Sequence, residues 1–349
     1  MIAENGIIIK NIFHMLSYAF KELNHESFKK LSKEPFEHIE DLMAAILLIG
    51  TGQLVKQGLH RDYLLLQEDI QTIKGRINIP RTVGLIANGR SYVNCEFEEF
   101  TSNNLFNRIL KATCCSLLHK NEVRKDNRRA IQKMLFFFTG VSYVDLHKIY
   151  WEKISFGSQN RLCELLLSIC KFTYYHCLFN EKEGINGASL LTDTQNLSSL
   201  YQHFLLEYFR RHHKRLCPHS PKISWDITNK ENLSKFLPTM QTDVVLRGDN
   251  AHLIIDAKFY GHIFQTNRGT QSFHSHNLYQ IFTYVQNYQV SHPDKNVAGM
   301  LLYAKTQEES VPNDTIELHG NKYFVMTLDL NTEFSVIRNQ LDRIANYAG

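Results

Sequence analysis

The chain has no phosphate-binding loop of the form G-x-x-x-x-G-K-[ST]. Its nearest approach, Gly50-Thr51-Gly52, lacks the lysine that such a loop extends to a nucleotide's phosphates. It is therefore not expected to hydrolyse a nucleoside triphosphate itself. No apolar run approaches the roughly 18 residues of a membrane-spanning helix. The start, MIAENGIIIKNIF, lacks a basic segment followed by a cleavable apolar one. These absences give the expectation of a cytoplasmic protein with no membrane partner. The seven cysteines are an odd count without framework spacing, which fits a reducing compartment. Cys114 and Cys115 are adjacent in an apolar helical pattern and read as core. Cys217 stands near His212, His213 and His219, but no second Cys-x-x-Cys or His pair completes a tetrahedral zinc set. Excess charge is also scant: a net +4 permits nucleic-acid binding without arguing for it.

At 349 residues the length fits two domains. A short strand near Ile7 leads into a helix with Ile12, Met15, Leu16 and Ala19 at helical spacing. Ile39 to about Lys56 is apolar round most of its circumference and reads as a buried helix. Tyr63–Ile70 and Ile73–Arg81 read as strands around a basic, glycine-containing bend. There Lys74, Arg76 and Arg81 fit both a contact to phosphate or an acidic partner and a solvated strand edge. Glu96–Asn104 leads into a helix with Leu105, Ile109 and Ala112 on one face and Asn107, Arg108 and Lys111 on its polar side. The basic run Arg124–Arg129 reads as a solvated face or a contact to a partner or DNA. A further apolar helix spans about Asn160–Phe179. Turn chemistry crowds Asn180–Asn196, giving an expected boundary between an N-terminal domain, 1–185, and a C-terminal one, 186–349. Past it, Leu200, Phe204, Leu205 and Tyr208 mark a helix that also carries Glu207.

The stretch from Met240 to Tyr284 organises the rest. Asp243–Leu246 and His252–Phe259 flank a Gly-Asp-Asn turn and read as a β-hairpin. Alternation puts Asp256 and Lys258 on one face. With Asp243 opposite the end of that strand, two carboxylates and an ammonium converge. Such a set holds a divalent cation and a water beside a phosphate, and Mg²⁺ often takes only one or two protein carboxylates. An exposed hairpin with a surface ion pair is the plain alternative, but Asp256 follows a Leu253-Ile254-Ile255 run that reads as buried. A helix over Asn277–Tyr288 buries Leu278, Ile281, Phe282 and Val285 and brings Gln280 and Tyr284, four apart, to a common face. Val297–Ala304 and Tyr323–Leu330 read as strands and Glu333–Tyr347 as a closing helix. The class is α/β (mixed α+β), with one mixed sheet flanked by helices.

At these residues the chain resembles the PD-(D/E)xK metal-dependent nucleases: Asp243, twelve intervening residues, then Asp256-x-Lys258, followed by Gln280-x-x-x-Tyr284. The last pair marks the branch similar to the RecB nuclease domain. The departure lies before Asp243, where Thr242 stands in place of proline and the nearest proline is Pro238. Across nearly the whole chain the segments NIFHMLSYAF, IKGRINIPRT, FTSNNLFNRILKAT, SLYQHFLLEYFRR, LPTMQTD, IIDAKFY and FHSHNLYQIFTYV occur in order and at matching intervals. This series resembles the McrC family, the nuclease subunits of McrBC modification-dependent restriction systems.

The resemblance implies Mg²⁺ held by Asp243 and Asp256, with the backbone carbonyl of Ala257 as a further ligand. Lys258 would position the attacking water or neutralise charge on phosphorus, and Gln280 and Tyr284 would hold the DNA backbone or buttress the lysine. In the nuclease superfamily the helix before the hairpin often presents an acid to the metal, which makes Glu207 a candidate ligand; pairing with Arg210 or Arg211 is its other reading. His274 and Asn277 are candidate phosphate contacts. The implied reaction is endonucleolytic hydrolysis of double-stranded DNA containing methylated cytosine. The implied partner is a hexameric AAA+ GTPase of the McrB type, which binds the GTP, recognises the methylated base and is stimulated by the N-terminal half of this subunit. Arg76, Arg81 and Arg108 are candidate contacts there, beside their plain reading as surface arginines. Two rival roles stand beside this one. The first is a non-catalytic adaptor that activates a GTPase ring, against which the intact Asp243, Asp256 and Lys258 argue. The second is an autonomous RecB-like repair nuclease.

Overall fold

The computed structural model describes residues 3–4, 7–154, 160–178, 187–227, 236–259, 263–267, 270–305 and 312–349. The chain falls into two compact units, 1–42 together with 175–349, and 43–174. The expected boundary at 185 lies outside the described residues; the compact units divide at 174 and return the first 42 residues to the C-terminal unit. A partnership invisible to any local pattern accounts for this. Asn11 in α1 (Ile9–Ala19) is buried, and its amide donates to the carbonyls of Leu330 and Thr332, both at 2.8 Å. Tyr18 packs edge-on against Phe204 and hydrogen-bonds His212 Nε2 at 2.8 Å.

The unit 43–174 takes in most of α2 (Ile39–Gln57), whose run from Leu42 to Leu47 is buried throughout, as all-round apolarity predicts. An antiparallel sheet follows, made of β1 (Asp62–Ile70), β2 (Arg76–Ile77) and β3 (Val93–Thr101) in the order β1-β3-β2. The bend at Gly75 has φ +69°, and a Cβ there would sit 2.4 Å from the Glu96 carbonyl, so the position requires glycine. The second expected strand stops short of Arg81. Asn78 instead caps a helix, α3 (Ile79–Ala87), by accepting the Arg81 N–H at 3.2 Å, with Pro80 in the first turn. Proline's fixed φ suits a helix start, and the cap satisfies an otherwise free N–H. No residue of α3 is buried.

The unit is completed by α4 (Leu105–Leu118), α5 (Lys125–Leu135) and α6 (Arg161–Thr173), with α4 packed against α6. Asn107, expected on the polar side of α4, is fully buried. Its amide donates to the carbonyls of His60 and Ser102 at 2.8 and 2.7 Å, which holds the two flanks of the sheet at one point.

In the other unit, α7 (Gly187–His212) precedes the hairpin of β4 (Val244–Arg247) and β5 (Ala251–Lys258). A ribbon of β6 (Phe264–Asn267) and β7 (Thr270–Phe273) leads into α8 (Ser275–Val290). Then come β8 (Asn296–Ala304), β9 (Asp314–Leu318), β10 (Asn321–Leu328) and α9 (Phe334–Ala345). The sheet runs β9-β10-β8-β5-β4, with β5, β8 and β10 parallel and the two edge strands antiparallel. This is the expected mixed sheet, enlarged by the exposed edge strand β9, with the ribbon as a separate two-stranded sheet. Gly299 in β8 lets α8 lie close, since a Cβ there would sit 2.8 Å from the side chains of Ile281 and Val285. No helix among the described residues is long and apolar enough to cross a membrane.

Candidate active site

The hairpin register pairs Val244 with Ile255, so Asp243, one residue before β4, lies beside Asp256. Parallel pairing with β8 sets Asp256 against Leu301 and Lys258 against Tyr303. Both aspartates and the lysine thus gather at one end of a central strand. The Ala257 N–H donates to Asp243 Oδ2 at 2.7 Å, and Lys258 Nζ lies 2.7 Å from Asp256 Oδ2. From α8, Gln280 Oε1 accepts from Lys258 Nζ at 2.8 Å, while its Nε2 donates to the Tyr284 hydroxyl at 2.9 Å. That hydroxyl donates to the Gln241 carbonyl at 3.1 Å. A chain of polar contacts therefore runs from Asp256 through the lysine to the backbone just before Asp243. Thr242 also has a physical account: its N–H and hydroxyl donate to the Pro221 carbonyl at 3.2 and 3.0 Å. The N–H bond is one that a proline could not make.

Asp256 is 2% exposed, and burial pushes its carboxyl up against the pull of the Lys258 ammonium. Burial first, then the Asp256 charge, raise Asp243 to about 7, with the Ala257 N–H and Lys258 opposing. Two crowded carboxylates with a single ammonium beside them are costly to ionise out of water. A divalent cation would neutralise that charge, and hard carboxylate oxygens are the donors Mg²⁺ takes. On this donor set the pair fits the metal.

The remaining candidates are placed less uniformly. Glu207 pairs with Arg210 at 2.7 Å. Among the described residues no group of three or more His, Cys, Asp or Glu side chains is set to hold a metal, so Glu207 is not brought into one site with the two aspartates. Asn277 is fully buried and donates to the Tyr303 hydroxyl at 3.1 Å, so it joins helix to sheet rather than facing a substrate. His274 occupies the N-cap of α8, its ring 5.7 Å from that of His276. In the other unit Arg76 is exposed, Arg81 pairs with Asp69 at 3.2 Å, and Arg108 Nε donates to Asn103 Oδ1 at 2.9 Å.

Two residues at the site were not singled out from the sequence. His276 precedes Gln280 by one helical turn, on the face that carries Gln280 and Tyr284. Burial, His274 and Lys258 lower its pKa while Asp256 opposes them. The i, i+4, i+8 spacing was a usable signal. Tyr201 had none, since nothing in its spacing sets it apart from the apolar and aromatic residues around it.

The profile of a family described as McrBC 5-methylcytosine restriction system component matches residues 4–304. A relative described as the type IV methyl-directed restriction enzyme EcoKMcrBC of Escherichia coli strain K12 is 28% identical over 338 residues, 96% of each chain. Among solved structures, a refined half-complex from a tetradecameric assembly of Thermococcus gammatolerans McrB AAA+ hexamers with bound McrC is similar at TM-score 0.49 and 15% identity, over 96% of this chain and 76% of that one. The cryo-EM structure of the McrBC complex of the same organism gives TM-score 0.39 and 19% identity, over 47% and 50% of the two chains.

Proposed function

The chain belongs to the family of McrBC 5-methylcytosine restriction system components, and from that premise we propose that it is the Mg²⁺-dependent nuclease subunit of a GTP-dependent restriction complex. Its substrate is double-stranded DNA containing methylated cytosine. Its partner is an AAA+ GTPase ring of the McrB type, which binds the GTP and which this subunit stimulates. Restriction of incoming DNA places that action in the cytoplasm.

The observation that carries the reading is the contact chain from Asp256 through Lys258 and Gln280 to Tyr284, closed beside Asp243. Asp243 and Asp256 would hold the cation, with the Ala257 carbonyl beside them. When bound, Mg²⁺ supplies Lewis-acid polarisation of the scissile phosphate and a lowered pKa for a water. Asp243 is oriented by the Ala257 N–H. Lys258 is held between a carboxylate and the Gln280 carbonyl oxygen, so its ammonium stays fixed where negative charge develops on phosphorus. Gln280 and Tyr284 act on the lysine from behind and anchor α8 to the strand leading into Asp243.

The surface that would meet the partner lies on the unit 43–174. Helix α3 exposes Ile79, Val83 and Ile86 at spacings of four and three. The sheet of the same unit exposes Tyr63, Leu65 and Phe100. Exposed apolar residues at helical spacing mark an interaction face rather than a solvated one.

The test is cleavage of cytosine-methylated and unmethylated plasmid by the chain, with and without its McrB-type partner and GTP, beside an Asp256→Ala variant. Cutting of methylated DNA only in the complete mixture, lost in the variant while GTP hydrolysis continues, is the expected result. Undiminished cutting by Asp256→Ala would overturn the site. Cutting by the chain alone would point to an autonomous nuclease.

A further inference from the structure

The Tyr201 hydroxyl is an anomaly in this fold. The residue is fully buried on α7, and its hydroxyl has no hydrogen-bond partner among the described residues. A buried phenol almost always finds a partner, because an unmade bond loses hydration without replacement. Phenylalanine would fill the same space without that loss. The ring packs edge-on against Phe259, the residue after Lys258, at 6.2 Å between centroids. Helix α7 itself lies against β4 and β5. The charge that acts on the phenol is that of Asp243: burial first, then Asp243, push it well above its ordinary pKa. The helix that packs on the hairpin carrying Asp243 and Asp256 therefore holds an unused donor. The acid expected from the same helix, Glu207, is engaged with Arg210 instead.

We infer that Tyr201 is a positioning residue of the cation site, its hydroxyl donating toward Asp243 once the two aspartates hold a divalent cation. This deepens the nuclease reading and rests on it. In the cation-free chain the hydroxyl has no partner among the described residues. A cation held between the two aspartates would fix where each carboxylate must point. Asp243 then has one oxygen held by the Ala257 N–H, and a second donor restricts its rotation. Hydrogen bonds of this kind behind a metal ligand typically change metal affinity by about 10–100-fold. An otherwise unexplained orphan hydroxyl is the local inconsistency expected where function competes with stability.

The experiment compares the full-length chain with Tyr201→Phe and Asp256→Asn. Mn²⁺ affinity is measured by titration calorimetry, and thermal unfolding is followed without metal. The expected result is that Tyr201→Phe unfolds at the same or a higher temperature, yet binds Mn²⁺ about tenfold more weakly, with Asp256→Asn weaker still. In the complete complex its cleavage should then recover as Mg²⁺ is raised. Equal Mn²⁺ binding by Tyr201→Phe and the unaltered chain, with Asp256→Asn impaired, would overturn the inference and leave the nuclease site standing. A lowered unfolding temperature for Tyr201→Phe would also overturn it, by making the hydroxyl structural. If Asp256→Asn binds Mn²⁺ as the unaltered chain does, the metal-site reading fails first and this inference with it.

Discussion

Two strands of this protein, β5 and β1, are similar in sequence and opposite in fate. AHLIIDAK in β5 is buried over six of its eight residues, whereas DYLLLQEDI in β1 is nowhere buried and has Leu65 64% exposed. Each contains a triplet of consecutive large aliphatic residues or nearly so, and a local reading makes both strands. The neighbours make the difference. Strand β5 lies between β4 and β8 beneath helices, while β1 has β3 alone as its partner. A strand with partners on both sides and cover above can hold an ionisable cluster in fixed geometry. One left open presents apolar side chains and an unpaired edge, a surface suited to another protein. On the proposed function, catalysis and docking would fall to strands with different degrees of enclosure.

That contrast can be broken or sharpened by substitution. The largest effect is expected at the enclosed strand: Lys258→Ala should lower cleavage by the complete complex by roughly two to three orders of magnitude, measured as initial rates on methylated plasmid. Leu65→Ala in β1 should leave the rate of the assembled complex within about twofold; a comparable loss would mean that β1 also serves the chemistry. In stability, Ile254→Ala in β5 should cost about 2–5 kcal/mol and Leu65→Ala within about 0.5 kcal/mol, both read from urea unfolding. Equal costs would show that β1 is covered in the isolated chain.

A smaller effect is expected on the open surface. Val83→Asp on α3 should leave the unfolding midpoint in place and weaken binding to the GTPase partner by about tenfold, or about 1.4 kcal/mol. Unchanged binding would move the docking face elsewhere.

The gentlest test uses pH. Asp243 is raised from 3.8 to about 7 in the fold, so between those values the folded chain keeps a proton that the unfolded chain has lost. Stability without divalent metal should therefore be fully present below about pH 4 as far as this group is concerned, and fall as pH rises through about 7. The slope is at most about 1.4 kcal/mol per pH unit. Added Mg²⁺ should restore stability at the alkaline end, and Asp243→Asn should flatten the slope. A slope unchanged in that variant would assign it to another group.

Most of the site could be read before the fold was seen, because its parts are local in sequence. Asp256 and Lys258 are two apart on a strand, Gln280 and Tyr284 four apart on a helix, and Asp243 is brought across by a tight turn. Periodicity alone aligns each pair. The differences from that reading come partly from short-range partners and partly from distant ones. Ile79–Arg81 has strand composition, yet Asn78 and Pro80 start a helix whose apolar face stays uncovered. Asn107 reads as polar surface, yet two carbonyls draw it inside. For Glu207 both a metal and an arginine partner were open from the sequence, and the pair formed is with Arg210 one turn away.

The sequence by itself determined the strand and helix periods, the turn chemistry and the spacing of the acidic, basic and amide groups. These follow from the geometry of three to five consecutive residues, and a mixed sheet bearing a two-carboxylate, one-lysine site follows from them. Only the tertiary structure decided that the first 42 residues join the C-terminal unit, through bonds from Asn11 to carbonyls some 320 residues away. It also decided that α7 turns Tyr201 inward. Burial and hydrogen-bond partnership are properties of all the neighbours at once, and most of those neighbours are distant in the chain.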